Sequence, residues 1–525
     1  MDLILNKLRI PVEKDGIDEY IKAASEKLGL SESSINLTKI LSKSLDASSK
    51  EAFYYELSIV VNLPESFDNK KNFPLFTETI TPDKNPITIK ESPIIIGFGP
   101  AGIFAALELI EHGIKPLIFE RGKMIEERSI DVQTFIKERK LDPESNIQFG
   151  EGGAGSYSDG KLFARLRNSH SANKVLDTFI KFGAPEEIGY IRKPHLGTDV
   201  LCRIVKSIRN YILERGGEIH YGAKMTDLLI TDGKASGVVI NGDTEYHSSM
   251  IFIALGHSAR DTFEMIYKKG VTMEQKQIFV GTRIEHPVEI INLMRYGDKY
   301  KDYPKIGAAL YSLNYTDKKT GRGVYTFCMC PGGEVVNASS EDGMLVVNGM
   351  SYANRSSAFS NSAIVATCHT TDYGSAHPLA GLEFQKDIER KAFAAGGGDW
   401  KVPAQNLMDF LCGRSSASLN KTSYKMGAES VPMNTILPGF INEALLTAFN
   451  HWKEDYPLFV SGHAILLGAE TRTSSPVRIM RNEKYESVNI KNLYPIGEGA
   501  GYAGGITSSA ADAIKAVEFS LKAYS

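Results

Sequence analysis

The residues of this 525-residue chain best suited to chemistry are glycines and the few charges beside them. Ile94-Ile95-Ile96 runs into Gly97-x-Gly99-x-x-Gly102, and 23 residues after Gly97 a second apolar run, Pro116 to Phe119, closes on Glu120. Between them Ala105, Ala106, Leu107, Leu109 and Ile110 follow a helical pattern. Strand, glycine turn, helix, strand and carboxylate together suit a dinucleotide. Gly97 permits the tight turn, Gly99 lets the backbone approach a pyrophosphate, and Gly102 lets the helix pack on the strand. The helix start, led by Pro100 and Ala101, offers N–H groups and partial positive charge to phosphates. Glu120 stands where a carboxylate meets ribose hydroxyls. Arg121 or Arg128, just beyond, can reach the pyrophosphate; for Arg128 a solvated helix face is the alternative.

A second glycine-dense stretch spans Gln148 to Lys161, QFGEGGAGSYSDGK. Its density implies backbone in unusual φ/ψ or pressed against a ligand, which makes Gly153, Gly155 and Ser156 cofactor-facing candidates. Lys161 can supply compensating charge or be a plain surface lysine. In RKPHLGTD, His195 is a candidate general acid or a histidine at a helix start. In ETRTSSPVR, Glu470, Arg472, Thr473 and Arg478 together can clamp an anionic substrate or a cofactor's polar edge, the alternative being an internal ion pair of Glu470 with one arginine. Near the end, Leu493 to Ile496 leads into Gly497-Glu498-Gly499, then Gly505-Ile506-Thr507 and an alanine-rich helix. A carboxylate on such a turn can bond a polyol chain, and the helix start can serve a carbonyl or a developing anion. Cys328-x-Cys330 places two cysteines on one face of a strand, read as small buried residues rather than a redox or metal pair. No metal site is expected.

The elements that must hold these residues need more than one core. Two or three domains are expected at this length. Residues 1–88 read as a small βαββ module with a proline-rich linker, a structural appendage or a docking element. Residues 89–258 read as a first nucleotide-binding part, which takes in a β-meander and the strand Met250 to Leu255. Residues 259–480 read as a mixed, mostly antiparallel substrate domain, and 481–525 as the return of the nucleotide-binding part. The fold class is thus α/β: a Rossmann-like parallel sheet with a meander, an antiparallel substrate domain and an N-terminal α+β module. A net charge of −3 gives no drive toward nucleic acid or anionic membrane, and no apolar stretch is long enough to span a bilayer. Five cysteines and a start without a basic, then apolar leader suit a reduced, cytoplasmic setting.

Taken in chain order, the first fingerprint with Glu120, the strand Ile253-Ala254-Leu255-Gly256 and the Gly497-Glu498 turn resemble FAD-dependent oxidoreductases of the glutathione-reductase superfamily. The Gln148 to Lys161 loop and ETRTSSPVR are similar to a bacterial FAD-dependent dehydrogenase family, over roughly residues 90–520. The resemblance implies that Gly97, Gly99, Pro100, Ala101 and Gly102 cradle the pyrophosphate and Glu120 binds the adenosine ribose. It implies that Met225 holds adenine through its backbone and that Ala254 and Gly256 form the strand-end motif. It implies further that Glu498 meets the ribityl chain, where the superfamily usually has Gly-Asp, and that Gly505, Ile506 and Thr507 face the pyrimidine edge of the flavin. No second fingerprint lies between Ala259 and Met480 and no Cys-x4-Cys follows the first, which argues against a dedicated NAD(P) domain and against disulfide chemistry. The function implied is hydride transfer between an organic substrate and non-covalent FAD, with NAD(P)H a candidate transient donor. The alternatives are a flavoprotein using FAD structurally or for electron transfer to a partner, or an RNA-modification component.

Overall fold

The structure, a computed structural model, describes residues 1–78, 84–162 and 169–524; Pro82 of the proposed linker lies outside them. At the N-terminus, alternate apolar residues Leu3, Leu5, Leu8 and Ile10 form β1 (Asp2–Pro11). The amphipathic α1 (Ile17–Leu28) buries Tyr20, Ala24 and Leu28 and stops at Gly29. With β2 (Asn36–Asp46) and β3 (Tyr54–Asn62), β1 makes an antiparallel sheet in the order β1-β3-β2.

The central parallel sheet grows from short, mostly apolar strands; helices cover one face, and the β-meander with the helix Arg260–Lys268 covers the other. In chain order come β4 (Ile94–Ile96), α2 (Pro100–Glu111), β5 (Leu117–Phe119), α3 (Ile125–Glu138), α4 (His170–Lys181), α5 (Thr198–Glu214) and β6 (Glu218–His220). The meander β7 (Met225–Thr231), β8 (Lys234–Ile240), β9 (Thr244–His247) follows, then β10 (Ile251–Ile253) and α6 (Arg260–Lys268). The strand Leu493–Pro495 returns to pair with β10, giving the order Leu493–Pro495, β10, β4, β5, β6. Gly97, Glu120, Ala254 and Ile496 therefore all leave the sheet at its carboxyl edge, where open α/β sheets bind ligands.

The region expected to be a substrate domain carries a seven-stranded sheet whose central strand, Ile278–Pro287, pairs antiparallel with Phe359–Cys368 and Ile465–Glu470. A short strand, Asn314–Thr316, pairs with Gly323–Cys330, and just before it the Leu313 amide bonds the Thr326 hydroxyl at 2.8 Å. The two cysteines do not share a face. A bulge in Gly323–Cys330 gives Cys328 a φ of 42°, exposing it while Cys330 is buried. The bulge turns the Cys328 carbonyl onto the Arg283 guanidinium at 2.7 Å. Among the described residues no helix is long and apolar enough to cross a membrane, and no cluster of three or more His, Cys, Asp or Glu could hold a metal.

Candidate dinucleotide site

The glycines of the first turn are demanded by their neighbours. A side chain at Gly97, whose φ is 99°, would place Cβ 2.4 Å from the Ala254 carbonyl, and one at Gly102 would meet the Gly97 carbonyl at 1.9 Å. Strand β10 and helix α2 can therefore close on the turn only if both residues lack Cβ. Gly99 is different. A Cβ there meets nothing closer than Gly153 Cα at 3.6 Å, so the protein's own packing does not require glycine at this position.

The second glycine stretch folds onto this turn. Gly152 N–H donates to the Phe98 carbonyl at 2.8 Å, and Gly153, with a φ of 60°, brings its backbone against Gly99. Gly155 lies between Pro100 and Ile506, where a Cβ would sit 3.4 and 3.3 Å from their side chains. The starts of α2 and of the C-terminal helix Ile506–Leu521 thus flank one short turn. Neither start has a side-chain cap, so their backbone N–H groups face the turn with partial positive charge.

Two carboxylates mark the ends of this cradle. Glu120 is buried, its Oε1 accepting from Gly122 and Gly150 N–H at 2.9 Å and its Oε2 from Phe98 N–H at 2.8 Å. Three amides fix the orientation of this carboxylate, and Oε2 keeps a lone pair for a ligand. The Glu498 carboxylate accepts no hydrogen bond among the described residues, its backbone carbonyl taking the Gly501 N–H at 2.9 Å. Burial pushes its carboxyl up to about 7, with Lys276 pulling the other way. A glutamate raised in this way stabilises the fold fully below the ordinary 4.5, and that contribution is lost as pH rises through about 7. Melting curves of the unliganded protein are expected to fall across that interval relative to Glu498→Gln. Parallel curves for the two proteins would show that Glu498 titrates normally.

Several other residues are committed elsewhere. Arg128 is fully buried and bonds the carbonyls of Asn146, Glu151 and Ile147 at 2.8, 2.7 and 2.9 Å. It holds the second glycine stretch in shape instead of reaching a pyrophosphate or facing solvent. Arg121 pairs with Glu144 at 2.7 Å and Asp261 at 2.9 Å, and Lys224 joins the same two acids, closing a ring of four charges beside Glu120. The Ser156 hydroxyl is buried without a partner and would meet a Gly152 Cβ at 2.0 Å, so it turns under the loop. Met225 is buried at the first position of β7, opposite Ile240. Thr507 donates its hydroxyl to the Leu162 carbonyl at 2.7 Å, tying the C-terminal helix to the second stretch. A Cβ at Gly256 or Gly505 would meet nothing within 4 Å, whereas one at Gly497 would press on Ala101 Cβ at 2.7 Å.

The polar candidates separate into two groups. Lys161 and His195 lie side by side, joined by backbone pairing. Lys161 pairs with Asp159 at 2.9 Å, and Asp159 also takes Arg355 at 2.7 Å. Burial lowers the His195 value to about 4, and its Nδ1 is buried with no partner. Burial thus favours the neutral imidazole. Glu470 and Arg472 form no clamp: the strand Ile465–Glu470 ends between them, and each is taken by a different partner. Glu470 pairs with the wholly buried Arg283 at 2.8 Å. Arg472 joins Arg260 around Glu389 and reaches Ser258 at 3.1 Å, behind the end of β10. Arg283, Arg355 and Glu389 were missed because each lies alone in sequence, with its partner 187, 196 or 83 residues away.

Residues 277–473 match the family described as FAD-dependent protein, C-terminal domain-like. An uncharacterized protein of Clostridium beijerinckii is 42% identical over 533 residues, covering 100% of this chain and 99% of its own. The chain belongs to this family of FAD-dependent proteins. Solved structures similar to it include CtdE in complex with FAD, at 11% identity and a TM-score of 0.30, covering 82% of this chain and 83% of that one. Another is the glycerol-3-phosphate dehydrogenase from Bacillus halodurans complexed with FAD, at 11% identity and a TM-score of 0.33, covering 83% and 64%. The cradle fits the cofactor that names the family: it offers two uncapped helix starts, a carboxylate fixed by backbone amides after the second strand, and another whose oxygens have no hydrogen-bond partner among the described residues.

Proposed function

We propose that this flavoprotein is an oxidoreductase that moves a hydride between a small organic substrate and non-covalent FAD. The observation that carries the reading is the meeting of the two uncapped helix starts, at Pro100 and Ile506, on either side of Gly155. Bound along this cradle, FAD would supply two-electron hydride chemistry. Glu120 would hold the adenosine ribose, the Gly99–Ala101 helix start the pyrophosphate and Glu498 a polyol hydroxyl. The start of the C-terminal helix would offer N–H groups to the reactive ring.

On the substrate side, removing a hydride from an alcohol or amine also releases a proton. His195, whose Nδ1 has no partner, would be the acceptor on that wall. Lys161 brings a positive charge that burial alone would suppress; its neighbours Cys330 and Asp159 outweigh burial and raise it above the ordinary value. A substrate that develops negative charge as its proton leaves is stabilised there.

The purified protein is expected to show the visible absorption of flavin and to bleach with NADH or NADPH under anaerobic conditions. A colourless preparation that stays colourless after FAD is added would overturn the reading. Persistent colour with no bleaching by either nucleotide would remove NAD(P)H as donor.

A further inference from the structure

The N-terminal module has a foot on each side of the site. On one side Val12 and Phe53 are built into the core of the substrate domain. Phe53 stacks on Tyr300 at 4.1 Å, the Tyr300 hydroxyl donates to Glu13 at 2.6 Å, and Lys299 reaches the Glu51 carbonyl at 2.6 Å. On the other side, the outer edge of β2 captures the segment before α5. Lys43 N–H donates to the Tyr190 carbonyl at 2.9 Å, and Arg192 N–H donates back to the Lys43 carbonyl at 3.0 Å. The Lys43 side chain points into the module. Its ammonium bonds both Asp15 oxygens at 2.7 and 2.6 Å and the Tyr20 hydroxyl at 3.0 Å, and lies 4.2 Å from the centre of the Tyr55 ring. One residue therefore joins the interior of the module to residues 190–192.

What lies just beyond residue 192 is the wall carrying Lys161 and His195. Leu162 N–H donates to the Pro194 carbonyl at 3.0 Å, Leu196 N–H to Gly160 at 3.1 Å, and Gly197 N–H to Asp159 at 3.3 Å. Residues 190–197 lie outside any α-helix or extended strand. Such a segment holds one arrangement only where it is tied, since fixing each residue costs backbone entropy.

We propose that Lys43 is a positioning residue: through β2 it clamps residues 190–192 and so sets the Lys161–His195 wall. The clamp itself stands independently of the cofactor; only what the wall does rests on the proposed function.

The test is amide hydrogen exchange on the full chain with no cofactor added, comparing wild type, Lys43→Met, Lys43→Arg and Arg192→Pro. Lys43→Met removes the ammonium cluster, whereas Arg192→Pro, with Arg192→Ala as the control for loss of the side chain, leaves it intact and deletes the N–H that reaches Lys43. Both are expected to speed exchange of the Leu162 and Leu196 amides about tenfold, the loss of roughly one hydrogen bond's worth of protection. The strand β4 should be unchanged, and Lys43→Arg should restore most of the protection. Faster exchange in β1 to β3 with Leu162 and Leu196 unmoved would overturn the clamp, as would an unmoved wall in Arg192→Pro. Should Lys43→Met unfold, Arg192→Pro decides alone. In a second arm FAD is titrated by fluorescence. Wild type failing to bind FAD would sink the flavin reading and leave the exchange result standing.

Discussion

Gly99→Asp abolishes cofactor retention and leaves the unliganded fold standing. The two halves of that expectation come from one piece of geometry. A Cβ at Gly99 is only in ordinary contact with Gly153 Cα, at 3.6 Å, and the residue has no left-handed backbone. The apo protein should therefore melt within a degree or two of wild type, as surface-like substitutions do. The same Cβ occupies the space through which a pyrophosphate would approach, and the carboxylate would cap the free N–H groups of α2 in its place. Loss of charge-assisted hydrogen bonds, with like-charge repulsion added, should weaken FAD binding by about a thousandfold or more. Gly99→Ala, without the charge, should fall between the two. Absorbance of the purified variants in the visible, set against protein absorbance, gives the result directly. Full colour in Gly99→Asp would refute the pyrophosphate site, and unfolding of Gly99→Ala would refute the argument that this glycine serves a ligand. Gly102→Ala is the contrasting control: its Cβ would lie 1.9 Å from the Gly97 carbonyl, so it should destabilise the fold itself.

Glu389→Gln should cost about 3–5 kcal/mol of stability, the usual consequence of leaving buried charge uncompensated. Glu389 is wholly buried and takes both Arg260 and Arg472, each through two oxygens, with the Thr471 hydroxyl as a further donor. The amide would leave two buried guanidinium groups with only the part-exposed Glu341 as counter-charge, 2.9 Å from Arg260 and 3.6 Å from Arg472. Burial alone would raise this carboxyl; Arg260 and Arg472 outweigh it and hold it well below the usual range. A depressed carboxyl contributes fully above its ordinary value of 4.5, and that contribution is lost as pH falls below it. Denaturant unfolding should show the gap between wild type and Glu389→Gln at neutral pH and its narrowing in acid. Adding Arg472→Met to Glu389→Gln should recover part of the loss, since it removes one of the orphaned charges. Equal stability of wild type and Glu389→Gln would show that the network contributes nothing net. The three side chains join α6 to helix Ala380–Ala395 and to the segment after Ile465–Glu470, so this network couples the parallel sheet to the substrate domain.

Local pattern was enough for the elements and for the first half of the site. Alternation in β1, the amphipathic α1 ending at Gly29 and the wholly apolar β4 each read correctly, because period and punctuation act within a dozen residues. The glycine turn with its following helix and Glu120 was legible for the same reason: the residues that make it are contiguous. So was the second glycine stretch, though its purpose was not. Only tertiary structure showed that Gly153 and Gly155 fill the gap between two helix starts 406 residues apart in sequence. Charges were the least legible feature. Arg128 and Arg472 carry nothing in their neighbourhoods to show that one would be spent on loop carbonyls and the other on Glu389, because a buried ion finds its partner through folding and not through spacing. Cys328 and Cys330 failed the strand rule because a single bulge, invisible in composition, turned one of them outward. The sequence by itself determined the kind of ligand and the chain's α/β plan, since those rest on short contiguous motifs. The tertiary structure decided which carboxylate stays unpaired, which arginines are structural and what the N-terminal module holds, since those depend on contacts between segments hundreds of residues apart.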